Sequence, residues 1–417
     1  MAHRRLMLAL SVWVAVFSVG SARSASAACD PSGVQSTGAL YQICMPAGEW
    51  NGNLVIWAHG YVAPQFPLMI PNDHRALLNG TSLADIVNAR GYAFATTSYS
   101  TNGLAVKEGV ADVLDLVGLV TAQKGNVDKV YIVGLSLGGL IATLALERHP
   151  DIFAGGLAAC GPIGSFNGQV NYLGDFRVLL DYFYPGLLPG DVTGIPPAFI
   201  GTWVQYYAGV VAPTLFAPQN RSKTLQLLRT ARLPTVAADF ENTARESLED
   251  SLFYAVLATN DANAKLGAQP FENRFRIYLG SSNDLRLNFL VQRERAERPA
   301  LDELDRHYNT SGRLRRPLIT LHTTLDQQVP AWHETLYATK AFFNGGFRHL
   351  TVVPVNRYGH CTFTPAEVLN AFDRLIAKVE GAGAAAAIAQ ATPVRMDRQM
   401  LMELDRIGAT FGIAPPR

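Results

Sequence analysis

The chain has 417 residues, 48% of them apolar and 17% charged; this excludes a disordered chain and leaves room for one large domain with an insertion, or for two domains. Its 35 Lys+Arg against 34 Asp+Glu become 32 against 34 once Arg4, Arg5 and Arg23 of an expected leader are removed, a formal charge of −2. That near-neutral balance argues against nucleic acid or an anionic membrane as a partner.

The N-terminus has the pattern of a secretory signal peptide over 1–28. His3, Arg4 and Arg5 are basic, 6–19 is apolar but too short to span a bilayer comfortably, and Ala25-Ser26-Ala27 forms a small-residue cleavage site. The expected location is secreted or periplasmic, with no stable membrane insertion. Acylation of Cys29 is the alternative, disfavoured because Ser26 stands where a large aliphatic residue is expected. Four cysteines in an exported chain suggest two disulfides. Cys29 and Cys44 flank a short N-terminal segment and are expected to pair, which leaves Cys160 and Cys361; four cysteines allow three pairings, and free buried thiols are the other reading.

A short apolar strand is predicted over Asn53–Ala58, ending at His59-Gly60. Thr81 or Ser82 caps a helix that runs to about Arg90 and stops at Gly91, and 92–99 is the next strand. Apolar residues at helical spacing (Val110, Val113, Leu114, Val117, Val120) predict a helix over Val106–Lys124. The β-branched run 129–133 leads through Gly134 into Ser136, and a helix-forming run follows at 140–148. A further strand over 153–160 ends at Gly161-Pro162. These βα units in series predict a mostly parallel sheet with helices on both faces.

From about 163 to 312 the alternation stops. The segment is rich in loops, proline and aromatics (Tyr172, Phe176, Tyr182, Phe183, Tyr184, Trp203, Tyr206, Tyr207), with amphipathic helical stretches at 240–257 and 289–306. The βα pattern resumes with a strand at 317–321, a helix at 332–343, a strand at 350–355 and a helix at 365–379. The domain reading is a first core segment 29–162, a mainly helical lid inserted over 163–312, a second core segment 313–380 and a tail 381–417, Ala-rich and then amphipathic, with no function assigned to it.

A serine between glycines at a strand-to-helix joint, Gly134-Leu-Ser136-Leu-Gly138-Gly139, is a nucleophile elbow. The turn is tight, so residues around the serine must be small. A serine hydroxyl needs a base, and the base needs a partner that fixes its tautomer. On a parallel sheet both must come from loops at the C-terminal strand edge. Of nine histidines, His3 belongs to the leader, His149 and His349 lie at the opposite edge, and His322 falls inside a strand as a core residue. His360, after the last strand, is in the right place; His333 and His307 are the alternatives. Asp326, just past the preceding strand, is the candidate acid, with a helix-capping role as the bland alternative and Asp284 as fallback. The backbone amides of Leu137 and Tyr61 are the expected oxyanion donors, and His59 is read as a structural loop residue.

The order Ser136, Asp326, His360 and the His59-Gly60-Tyr61 segment resemble the α/β-hydrolase superfamily over roughly 50–162 and 313–380. The resemblance implies the α/β-hydrolase fold, an acid loop at 324–330, a second oxyanion donor at Tyr61 and a lid in the insertion. Thr323 or Thr324 replaces the glycine often seen before the acid loop. His360-Cys361 is also similar to tannases and feruloyl esterases, in which cysteines beside the serine and histidine are bridged; here Leu135 precedes Ser136, so a Cys160–Cys361 bridge would reach the histidine loop by another route.

The sequence contains no His-Glu-x-x-His, Cys-x-x-Cys or Gly-x-x-x-x-Gly-Lys, so neither a metal nor a nucleotide cofactor is expected. The resulting expectation is a secreted serine esterase acting through an acyl-enzyme on a small or polymeric ester. The aromatic lid suggests an apolar acyl or aryl group, unless those rings only form the lid's own core. Rivals are a peptidase or amidase on the same scaffold and a non-catalytic binding protein. Oligomeric state is not encoded legibly.

Overall fold

The computed structural model describes residues 28–71, 80 and 82–381. Residues 1–27 of the expected signal peptide, residues 72–79, Thr81 and the tail beyond Gly381 lie outside the described residues, while Ala28, expected to leave with the leader, is in the first strand. Among the described residues nine strands form one sheet: β1 (Ala28–Cys29), β2 (Gly33–Val34), β3 (Leu40–Met45), β4 (Asn53–Ala58), β5 (Ala93–Thr97), β6 (Lys129–Leu135), β7 (Phe153–Ala159), β8 (Leu318–Leu325) and β9 (Leu350–Tyr358). The order is β1-β3-β5-β4-β6-β7-β8-β9, with β2 pairing β3. From β5 to β9 every neighbour is parallel; β1, β2 and β3 form an antiparallel edge.

Period-two side-chain alternation explains the layers. Leu54, Ile56, Val130 and Ile132 point to one face and pack with Val110, Val113, Leu116, Leu140 and Ile141 of helices α2 (Val106–Lys124) and α3 (Leu137–Arg148). Val55, Trp57, Tyr131 and Val133 point to the other, against Leu83 and Val87 of α1 (Leu83–Asn88) and Phe372 and Leu375 of the helix Pro365–Glu380. Ser82 caps α1 by accepting from the Asp85 amide. The chain has the α/β-hydrolase fold.

Between β7 and β8 the chain is helical, beginning with α4 (Phe166–Phe183) and including the helix Phe240–Leu257. This segment has its own apolar cluster, which takes up Tyr172, Phe176, Phe183, Tyr184 and Trp203, with Tyr182, Tyr206 and Tyr207 packed against it. The continuous helical character expected at 289–306 is not observed. A helix Asp284–Leu290 stops at Val291, and a new one starts at Arg298 with Pro299 in its first turn. The break is held by Arg293, whose guanidinium donates to the carbonyls of Asn273, Arg276 and Asn288.

Candidate active site

Ser136 occupies the turn between β6 and α3 with φ 56°, a left-handed conformation that a non-glycine residue adopts at a cost. Its amide donates to the Ala159 carbonyl at 2.8 Å. Two glycines make the turn possible. A Cβ on Gly134 would lie 2.0 Å from the Gly138 carbonyl oxygen, and one on Gly138 would lie 2.0 Å from that of Ala58.

His360 follows β9 in the loop that turns at Gly359 (φ 104°). The Gly359 carbonyl accepts from the Thr323 hydroxyl at 2.6 Å. Downstream, Thr364 and Glu367 form a capping box on the helix Pro365–Glu380, and Glu367 takes both Arg357 nitrogens at 2.9 and 3.0 Å. Asp326 comes one residue after β8. Its Oδ1 accepts from the amides of Gln328 and Val329 at 2.9 and 2.8 Å, which orients the carboxylate.

These loops bring together three side chains far apart in the chain. His360 Nδ1 donates to Asp326 Oδ2 at 2.7 Å, and His360 Nε2 is 2.9 Å from Ser136 Oγ. With the Nδ1 proton directed at the carboxylate, Nε2 presents its lone pair to the serine hydroxyl. Asp326 is 2% exposed and Ser136 9%. The arrangement can take the serine proton as the oxygen attacks a carbonyl carbon, and return it to a leaving group.

Leu137 opens α3, so its amide is among those with no partner inside the helix. Tyr61 follows the β4 edge; Tyr61, Leu137 and Ser136 line one cavity. The rest of that lining is mostly apolar, including Leu104, Val170 and Leu173. None of the insertion's aromatics singled out in the sequence lines it; the rings that do are Tyr61, Phe166 and Tyr254. The Tyr61 hydroxyl is buried with no hydrogen-bond partner, and burial raises it above the ordinary tyrosine range.

The other candidates are accounted for elsewhere. Asp284 accepts from the Gly280 and Ser281 amides in the insertion. His307 is near Glu303, at 3.8 Å. His333 is fully buried and accepts from the Gly164 amide at 3.0 Å. His59 stacks on Tyr99, its Nδ1 2.7 Å from the Gly60 carbonyl.

Sequence reasoning missed the polar groups that fasten the helical insertion to the loop after Asp326. Gln327 Nε2 donates to Asp250 at 2.7 Å and to Glu246 at 3.3 Å, while Tyr254 donates to Gln328 Oε1 at 3.0 Å. Tyr172 and Gln169 donate to the Gln327 and Gln328 carbonyls, both at 2.8 Å. Burial pushes the Asp250 carboxyl up, although hydrogen bonds from Gln327 and Gln328 and the charge of nearby His360 act against it. The one signal available was the polar run Asp326-Gln327-Gln328 directly after an apolar strand.

Cys29 pairs with Cys44 and Cys160 with Cys361. The second bridge joins the end of β7 to the residue after His360, with Cα atoms 5.5 Å apart. Both of its cysteines have left-handed backbone, φ 46° and 56°. Among the described residues no helix is long and apolar enough to cross a membrane.

A family model described as the prolyl oligopeptidase family matches residues 85–165, a minority of the chain that includes the serine turn. No curated protein matches. Among solved structures, the chain is similar to a Pyrococcus horikoshii acylaminoacyl peptidase (11% identity, 80% of this chain and 37% of that one, TM-score 0.38). It is also similar to a Pyrococcus furiosus esterase (12%, 84% and 90%, TM-score 0.42) and to Candida antarctica lipase A (13%, 88% and 79%, TM-score 0.46). The chain thus spans little more than a third of the length of the peptidase.

Proposed function

We propose that this chain is a secreted or periplasmic serine hydrolase of carboxylic esters, working through an acyl-enzyme. The observation that carries the reading is the continuous hydrogen-bonded line Asp326–His360–Ser136, at 2.7 and 2.9 Å. Ser136 attacks the ester carbonyl while His360 takes its proton. The amides of Leu137 and Tyr61 stabilise the oxyanion. His360 then protonates the departing alcohol, and water, activated by the same imidazole, releases the acid. The apolar cavity beside Ser136 supports an apolar acyl group. The two disulfides fit an oxidising compartment.

A peptidase is the second reading, favoured by the match of residues 85–165 to the prolyl oligopeptidase family. Parallel assays of the chain lacking residues 1–28 on p-nitrophenyl esters and on peptide p-nitroanilides decide between them. The expected outcome is ester turnover well above anilide turnover, fluorophosphonate labelling of Ser136, and a loss of about 10³-fold or more in kcat for Ser136→Ala. Unimpaired hydrolysis by that variant ends the proposal.

A further inference from the structure

His322 is 1% exposed in β8, yet polar groups face both of its ring nitrogens. Nδ1 lies 3.1 Å from Glu334 Oε1, and Nε2 lies 2.8 Å from the Val329 carbonyl oxygen. A carboxylate and a carbonyl are both acceptors. A neutral imidazole carries one N–H and one lone pair, so it would leave one nitrogen facing an acceptor lone pair to lone pair. Two acceptors call for two N–H groups.

The adjacent His333 provides the contrast. Its Nδ1 accepts from the Gly164 and Ser165 amides at 3.0 and 3.3 Å, and its Nε2 faces Gln169 Oε1 at 2.9 Å. One nitrogen accepts and one donates, so that ring is neutral, and burial holds it well below the usual histidine range. Burial also opposes charge on His322, but the hydrogen bond and charge of Glu334, with Asp326 behind them, raise it above that range. Glu334 is fixed in turn by the Thr320 hydroxyl on its second oxygen.

His322 also touches the triad's support. Its Nε2 is 3.6 Å from Asp326 Oδ2, the oxygen that accepts from His360. The backbone of Val329 lies between the two sites: its carbonyl faces His322, and its N–H donates to Asp326 Oδ1.

We propose that His322 is a resident imidazolium, held by Glu334, that positions the acid loop through Val329 and compensates the buried Asp326 carboxylate. The idea rests on reading Ser136, His360 and Asp326 as the catalytic triad. The cation faces the Asp326 oxygen that accepts from His360, and its charge weakens the hold of Asp326 on a protonated imidazole. The charged and titratable groups around this arrangement are Glu334, His333 and, further along the same helix, Lys340 on one side. On the other are Asp326 and the lid carboxylates Asp250 and Glu246 beside Gln327.

The first measurement is 15N NMR of histidine-labelled, full-length mature protein. Two protonated ring nitrogens on His322, unchanged from mildly acidic to mildly alkaline pH, are expected. An unprotonated ring nitrogen on His322 near neutral pH overturns the proposal, whatever the activity. The second is the pH profile of kcat/KM on p-nitrophenyl acetate for His322→Gln/Glu334→Gln, which keeps amide hydrogen bonds and deletes the charges. Loss of the cation favours protonation of His360, so the acidic limb moves up, by about half a unit to one unit. A lower plateau with the limb unmoved reduces His322 to a structural role and also overturns the proposal. Failure of the triad reading is separate: it is Ser136→Ala hydrolysing esters as the unmodified chain does.

Discussion

At the level of single residues, the imidazole of His360, the base of the proposed mechanism, feels a second carboxylate besides Asp326. Asp326 holds its Nδ1, and Asp250, reaching down from the lid helix Phe240–Leu257, adds a second negative charge whose field reaches the imidazole. Glu246, one turn earlier, shares the Gln327 amide with Asp250 and is itself pushed up by burial and by the charge of Asp250. A carboxylate near an imidazole favours its protonated form, so removing that charge has a definite sign. Asp250→Asn is expected to move the acidic limb of kcat/KM to lower pH by about 0.3–1 unit, opposite in direction to the change expected when His322 loses its charge. A pH–rate profile on p-nitrophenyl acetate checks this; an upward move would mean that the Asp250 carboxylate acts on the base only through the position of Gln327.

At the level of elements, the loop carrying His360 is braced twice, by the helix cap at Thr364 and Glu367 and by the bridge from Cys361 to the end of β7. The bridge spans 201 residues of sequence and so limits the unfolded chain strongly, by about 5 kcal/mol on the loop-entropy account, against about 3 kcal/mol for the 15-residue separation of Cys29 and Cys44. The two bridges differ in function as well as in size. Cys29 faces Cys44 across β1 and β3, at the antiparallel edge of the sheet. Cys160→Ser/Cys361→Ser is therefore expected to lower both thermal stability and kcat, whereas Cys29→Ser/Cys44→Ser lowers stability alone. Calorimetry with ester assays below the melting range separates the cases; equal kcat for both variants removes the positioning role. What the sequence made legible follows the same logic of local against distant determination. Val106–Lys124 and Phe240–Leu257 have the bounds expected from helical spacing, because burial of one face sets their period. The edge strands at Ala28–Cys29 and Gly33–Val34 are two residues each, too short to show a period, and they exist only because β3 pairs with them. The break at Val291 depends on Arg293 reaching carbonyls up to 20 residues away, which no local pattern carries. The same holds at the site. Ser136 and its glycines announce themselves by local crowding, but Gln327, Asp250 and Glu334 matter only through contacts made in three dimensions.

At the level of the whole molecule, two apolar clusters meet at the reacting centre. One lies between the sheet and helices α2 and α3, the other inside the lid, and Tyr61 and Val170 pack against both. The cavity beside Ser136 lies on this seam, with Tyr61 on the sheet side and Val170, one turn into α4, on the lid side. On the proposed ester reading, acyl-chain selectivity is a property of how the helical insertion and the sheet fit together. Each methylene of substrate buried there contributes about 0.8 kcal/mol, roughly a fourfold factor in kcat/KM, so two methylenes separate butyrate from acetate by about tenfold or more. Enlarging the seam residue removes that space while leaving the triad and its hydrogen bonds in place. Val170→Phe is expected to cut the butyrate-to-acetate ratio of kcat/KM on p-nitrophenyl esters by about tenfold, with kcat on the acetate changed by less than about threefold; the added bulk costs about 1–3 kcal/mol of stability where the neighbours cannot give. Thermal melts of the same samples report that cost independently. An unchanged ratio would put the acyl chain outside the apolar cavity.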